Sequence, residues 1–91
     1  MYLHLGQNVV VPESAIIGVF DMDNTTGSRI TRKFLNEAEK SGRVLSVTNE
    51  LPKSFVICCE DKYQRYDEMK IYISQLSSQT LLKRSGTLRF D

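Results

Sequence analysis

Ile16-Ile17-Gly18-Val19-Phe20-Asp21-Met22-Asp23-Asn24-Thr25 admits two readings, and they lead to different folds. In one, an apolar strand delivers two carboxylates to the carboxyl end of a parallel sheet, where open α/β proteins bind their ligands. In the other, the strand from Ala15 to Phe20 ends in an Asp/Asn/Thr turn that launches a helix from about Gly27 or Ser28 to Ser41. The helix is well specified. Ile30, Phe34 and Ala38 recur at i, i+4 and i+8, and Leu35 widens the stripe. Asn24, Thr25, Thr26 and Ser28 offer oxygens to its first orphan amides, and Gly42 is placed for a left-handed stop.

The first reading resembles haloacid-dehalogenase-like phosphatases, whose DxDxT loop follows a strand. That resemblance implies Asp21 as nucleophile and Asp23 as acid/base. Val44 to Asn49 resembles that family's second motif, and Lys53 and Glu60-Asp61 could stand for its lysine and acidic pair. The spacing speaks against it. Such motifs sit at the ends of parallel strands joined by crossovers of a dozen residues or more. Only five residues separate Thr48 from Ser54, which fits a hairpin and holds no helix. With strands Arg43–Thr48 and Ser54–Cys59 antiparallel, Thr48 and Glu60 would fall on opposite edges and would not converge on Asp21. Asp21 and Asp23 then read as turn and cap residues.

Working outward, Tyr2–Leu5 and Asn8–Val11 read as short strands joined at Gly6-Gln7 and ending at Pro12. Ala15–Phe20, apolar on both faces, reads as an interior strand. Ser54–Cys59 is also apolar on both sides. Glu60–Glu68 is a charged turn, expected to be mobile, and Met69–Leu76 alternates like a half-exposed strand. Ser77 caps a short last helix to Arg84, and residues 85–91 read as a flexible tail after a single domain, 1–84.

Ninety-one residues, 41% hydrophobic, allow one modest core and no separate catalytic domain. No apolar run reaches the roughly 18 residues of a membrane span, and the start lacks the basic region of a signal peptide. A cytoplasmic protein without membrane contact is expected. The formal charge of +1 conceals a segregation: residues 1–28 carry −3 and residues 29–53 carry +3. Any anion site is therefore a local patch, or one repeated by oligomerisation.

Arg29, Arg32 and Lys33 occupy the first turns of the helix, where the dipole disfavours cations by about 0.3–1 kcal/mol each. They form either an anion site with the free amides or an ordinary solvated face. His4 stands alone on the first strand, with no second ligand for a metal. Cys58 and Cys59 are neighbours on a strand, so they point to opposite faces and read as small buried hydrophobes. Tyr63, Tyr66 and Tyr72 surround the charged loop and read as packing residues before they read as base-stacking ones. There is no nucleophile–base arrangement, glycine-rich phosphate loop or zinc spacing. No enzyme activity, cofactor, metal or small-molecule substrate is expected.

A second resemblance covers nearly the whole chain to about Arg84. Met1–Gly6, Ile17–Thr26, Thr31–Leu35, Leu51–Val56 and Ile71–Arg84 together resemble the RemA/RemB family of bacterial extracellular-matrix (biofilm) regulators. The resemblance implies a small α+β protein that assembles into rings. In the RemA branch it further implies DNA binding through arginines repeated around the ring, and activation of matrix genes. The chain departs from that pattern where the arginines fall. It has Ser14-Ala15 at one place and Asn49-Glu50-Leu51-Pro52-Lys53 at the other, where only Lys53 is cationic and Glu50 opposes it.

The expected fold is α+β: a small, mostly antiparallel sheet with one long helix on a face and a short C-terminal helix. Exposed strand edges or the last helix would carry self-assembly. The expected function is non-enzymatic regulation of matrix gene expression by a ring-like homo-oligomer, with DNA held by Arg29, Arg32, Lys33 and Lys53. The alternative is an oligomeric interaction scaffold that contacts no nucleic acid.

Overall fold

Gly6 and Gln7 take positive φ, 122° and 49°, and fold strand β1 (Tyr2–Gly6) back on β2 (Val9–Pro12) as an antiparallel pair. A computed structural model describes residues 1–22, 29–63 and 65–85 of the chain. After the hairpin, one 3-10 turn (Glu13–Ala15) leads into β3 (Ile16–Asp21). Helix α1 (Arg29–Lys40) follows, then β4 (Val44–Ser46), β5 (Ser54–Cys58), β6 (Lys70–Ser74) and helix α2 (Ser78–Arg84). The protein is α+β, and its described residues form six strands in two mostly antiparallel sheets and two helices. The expected caps Asp23, Asn24, Thr25, Thr26 and Ser28 lie outside the described residues, as does the tail from 86 to 91.

The larger sheet has the order β3-β5-β6-β4. β5 is antiparallel to β3 and β6, and β4 is parallel to β6. β3, β6 and β4 therefore run one way and β5 the other. Asp21, Ser46, Ser54 and Ser74 gather at one end of the sheet, here the Asp21 end, and Cys58 and Lys70 at the opposite, Cys58 end.

Three expectations are corrected by this order. Thr48 and Ser54 are not joined by a hairpin: residues 47–53 arch over the end of β6, which lies between the two strands. Val47 N–H donates to Ile73 O (2.8 Å) on one side, and Lys53 N–H donates to Ser74 O (2.9 Å) on the other. Seven residues (47–53) easily span two strand spacings of roughly 4.8 Å each. Thr48 therefore shares an end with Asp21 after all, although two strands, β5 and β6, stand between β3 and β4. β3, read as interior from its apolar faces, is an edge strand. β6, read as half-exposed, is interior, and both of its faces are covered: Ile71 and Ile73 meet α1, while Tyr72 and Ser74 face the hairpin side.

The alternation within β5 divides the core. Val56 and Cys58 join Leu3, Leu5, Val11, Val47 and Leu81 between sheet, hairpin and α2. Phe55 and Ile57 turn the other way and meet Phe34, Leu35 and Ala38 of α1. Burying each large aliphatic side chain contributes about 1.5–3 kcal/mol, so this chain depends on a few residues. Between the sheets, small hydroxyls meet their needs internally. Ser74 Oγ donates to Leu5 O (2.6 Å) and accepts from Leu76 N–H (3.0 Å), and Ser54 Oγ donates to Leu76 O (2.7 Å).

The helix ends follow the local rules. Gly42 takes φ 74° after α1, and Gly42 N–H donates to Glu39 O (3.0 Å). Ser77 caps α2 by accepting from Thr80 N–H (3.1 Å), and Lys83 and Arg84 fill its last turn. Beyond it Ser85 Oγ bonds the Glu13 carboxylate, which fastens the end of α2 to the 3-10 turn. No helix among the described residues is long and apolar enough to cross a membrane.

Candidate nucleic-acid interface

Arg29, Arg32 and Lys33 stand exposed on the first turns of α1, and Lys53 stands exposed just before β5. The chain leaves β3 at Met22, whose N–H donates to Lys53 O (2.9 Å). Ile30 and Thr31 of the first turn of α1 line a groove with Phe20 and Phe55, the residues next to Asp21 and Ser54, so the start of α1 lies toward the same end of the sheet as Lys53. The backbone of Lys53 is held on both sides, by Met22 and by Ser74, which makes it a fixed mount for a flexible ammonium. Asp21, half-buried, and Glu50, exposed in the arching loop, temper the positive charge there.

Among the described residues, the opposite end mixes acids and bases. A recess of about 250 Å³ beside Cys58 is walled by Glu60, Asp61, Glu68, Lys70 and Tyr72. Arg65 is turned back on Asp61 through two side-chain bonds (2.9 and 3.0 Å) and its own N–H (3.1 Å). Those bonds hold the Asp61 carboxyl below its usual range. Ser14 is exposed at this end, and Ala15 is buried, its carbonyl accepting from Cys59 N–H (2.8 Å).

Other singled-out residues fall into place as structure. Cys58 and Cys59 are free and buried. Burial first, then Glu60 and Cys59, pushes the Cys58 thiol up to about 12, so it stays a thiol at neutral pH. Thr48 bonds Gln75 Oε1 and accepts from Glu50 N–H (2.9 Å), a local turn contact. His4 is exposed on β1 opposite Val10. Tyr72 packs against the hairpin-side core, and Tyr63 is exposed with Lys62 Nζ 5.5 Å from its ring centre. Tyr66's side chain lies outside the described residues. Among the described residues no group of three or more His, Cys, Asp or Glu side chains is placed to hold a metal.

Sequence reasoning missed an apolar groove of about 300 Å³ between α1 and β3, lined by Phe20, Ile30, Phe34, Phe55 and Ile57. Phe20 and Phe55 stack with centroids 5.2 Å apart, and Phe20 lies so close over Gly18 that a Cβ there would approach its ring to 2.6 Å. The available signals were that glycine inside an apolar strand and Ile30 on the edge of the helical stripe.

A family profile described as RemA-like, extracellular matrix regulatory protein A-like, matches residues 2–84. The extracellular matrix regulatory protein B of Bacillus subtilis (strain 168) is 36% identical over 85 residues, covering 93% of this chain and 90% of the relative. Both descriptions are of regulatory proteins, and the match spans every described strand and helix. The chain therefore belongs to the RemA-like family of extracellular matrix regulatory proteins.

Proposed function

We propose that the chain is a non-enzymatic, cytosolic regulator of extracellular-matrix gene expression. It assembles into a ring of identical copies and holds DNA against a basic patch that the assembly repeats. The carrying observation is the clustering of exposed Arg29, Arg32, Lys33 and Lys53 at one end of a sheet in a chain that matches this regulatory family throughout. One copy's patch is too small for firm binding to a polyanion. Copies arranged around a ring act together, because the second and later contacts become intramolecular.

The test is binding to duplex DNA across a salt series, with molar mass measured by light scattering. Neutralised phosphates release counterions, so log K falls steeply with log salt at about −0.9 per contact. Arg29→Ala, Arg32→Ala and Lys33→Ala each weaken binding on all sequences and flatten that slope by about one contact per copy engaged. Binding that ignores all three substitutions sinks the patch. The second reading, an interaction scaffold without nucleic acid, draws on Glu50 beside Lys53 and on the uncharged Ser14-Ala15. An oligomer with no measurable DNA binding at low salt decides for it.

A further inference from the structure

Hairpin and sheet do not meet completely at the Cys58 end. Val11 from β2, Ala15 from the 3-10 turn, and Cys58 and Tyr72 from adjacent strands leave a recess of about 250 Å³ between them. Val11, Ala15 and Cys58 are buried and Tyr72 is half-buried, so they make a mostly apolar floor. Two polar groups interrupt it. Cys58, only 4% exposed, and the Tyr72 phenol have no hydrogen-bond partner among the described residues.

The rim is charged. Glu60 follows β5, Glu68 precedes β6, and Lys70 stands opposite Cys58 on the neighbouring strand. All three are exposed and line the one recess, yet among the described residues no ion pair joins them. Charges of opposite sign are held apart across the opening. The wall that carries Glu60 is itself fixed, because Arg65 grips the adjoining Asp61 through three bonds and Cys59 N–H donates to Ala15 O.

We propose that this recess binds a small zwitterion with an apolar body, of which an α-amino acid is the simplest case. The ammonium lies toward Glu60 and Glu68, the carboxylate reaches Lys70, and the apolar part covers Val11, Ala15 and Cys58. The Tyr72 hydroxyl lies two residues along the same face of β6 from Lys70 and donates to the same carboxylate. An apolar hollow with a few convergent polar groups is the common form of a small-molecule site.

The other ligand classes fit less of the rim. Among the described residues no three His, Cys, Asp or Glu side chains are placed for a metal ion. A bare anion would meet two carboxylates for one ammonium, in a negative field. Burial, then Cys58 and Glu60, raise the Tyr72 phenol, and Glu60 adds to burial in raising the Cys58 thiol. A bare organic cation would answer the acids and leave Lys70 facing a like charge. A ligand with both signs answers all three side chains. The recess lies at the opposite end of the sheet from Lys53, so the inference stands apart from the DNA reading.

Three matched probes test it: L-leucine, 3-methylbutylamine (leucine without its carboxylate) and 4-methylpentanoate (leucine without its ammonium). Each is titrated into the full chain while amide resonances are followed by NMR, which reads affinity and place together. L-leucine should saturate in the millimolar range and shift residues around Ala15, Cys58, Glu60 and Lys70. Each half-probe should bind more weakly by about tenfold or more, as loss of a charged contact requires. The Glu60→Gln, Glu68→Gln double variant and Lys70→Gln should each weaken L-leucine to a similar degree. These positions are exposed, and an otherwise unchanged spectrum shows that the fold is kept. Arg29→Ala, at the far end, should leave L-leucine binding as it is. No saturable shift with L-leucine overturns the proposal. Equal binding of 3-methylbutylamine makes the recess a plain cation site and also overturns it. Binding that survives both rim variants lies elsewhere and does the same.

Discussion

The two faces of the four-stranded sheet are finished to different degrees. Toward the hairpin and α2, Leu3, Leu5, Val11, Val47, Val56, Cys58 and Leu81 are each no more than 7% exposed. Toward α1, among the described residues, only Ala38, Phe55 and Ile71 reach that state, while Phe20, Phe34, Leu35 and Ile57 stay partly open and Ile30 is 81% exposed. One helix of 12 residues cannot roof four strands, and α1 lies over the β4 and β6 half. The closed face holds the subunit together. The open face leaves apolar side chains partly exposed.

The largest expected effect lies on the closed face. Leu5→Ala removes a fully buried side chain where two sheets and a helix meet, and should cost about 2–5 kcal/mol in denaturant unfolding at fixed protein concentration. A loss below about 1 kcal/mol would mean that the hairpin is dispensable to the core. Ser74→Ala comes next. It leaves Leu5 O and Leu76 N–H without their buried partner and should cost about 1–3 kcal/mol.

A pH series sharpens the same contrast. The Cys58 thiol ionises near its ordinary 9.0 when unfolded and near 12 when folded. Its contribution is therefore complete below pH 9 and is lost as pH rises toward 12. Alkaline midpoints of the parent should fall over that window, and Cys58→Ala should flatten the decline. A parallel decline in both would remove Cys58 as the cause. Smallest of all, Ile30→Ser on the open face should change subunit stability by no more than about 0.5 kcal/mol. A cost comparable with Leu5→Ala would mean that the two faces are equally closed.

The elements themselves were legible in the sequence because their signals are local. The Ile30-Phe34-Ala38 period, the Gly42 stop and the Ser77 cap are each complete within a few residues. The order of the strands was not. An apolar strand reads as interior, yet β3 sits at an edge of the sheet. A five-residue gap between Thr48 and Ser54 fits a hairpin as well as an arch over a third strand, since length alone does not name the partner. The four cations were legible as residues, and their gathering at one end depended on the arch that fixes Lys53. The groove was hidden because its walls, Phe20, Ile30 and Ile57, come from three separate segments.

That arch also governs the order of events during synthesis. Of the described strands β6 is made last, yet it is inserted between β5 and β4. Until residues 70–74 leave the ribosome, β4 has no neighbour in the sheet and β5 pairs on one side only. A nascent chain halted before Lys70 therefore shows two open edges inside what will become the centre of the sheet. Such a chain is a substrate for chaperones or a seed for aggregation. The four-stranded sheet closes only once residues 70–74 have been made.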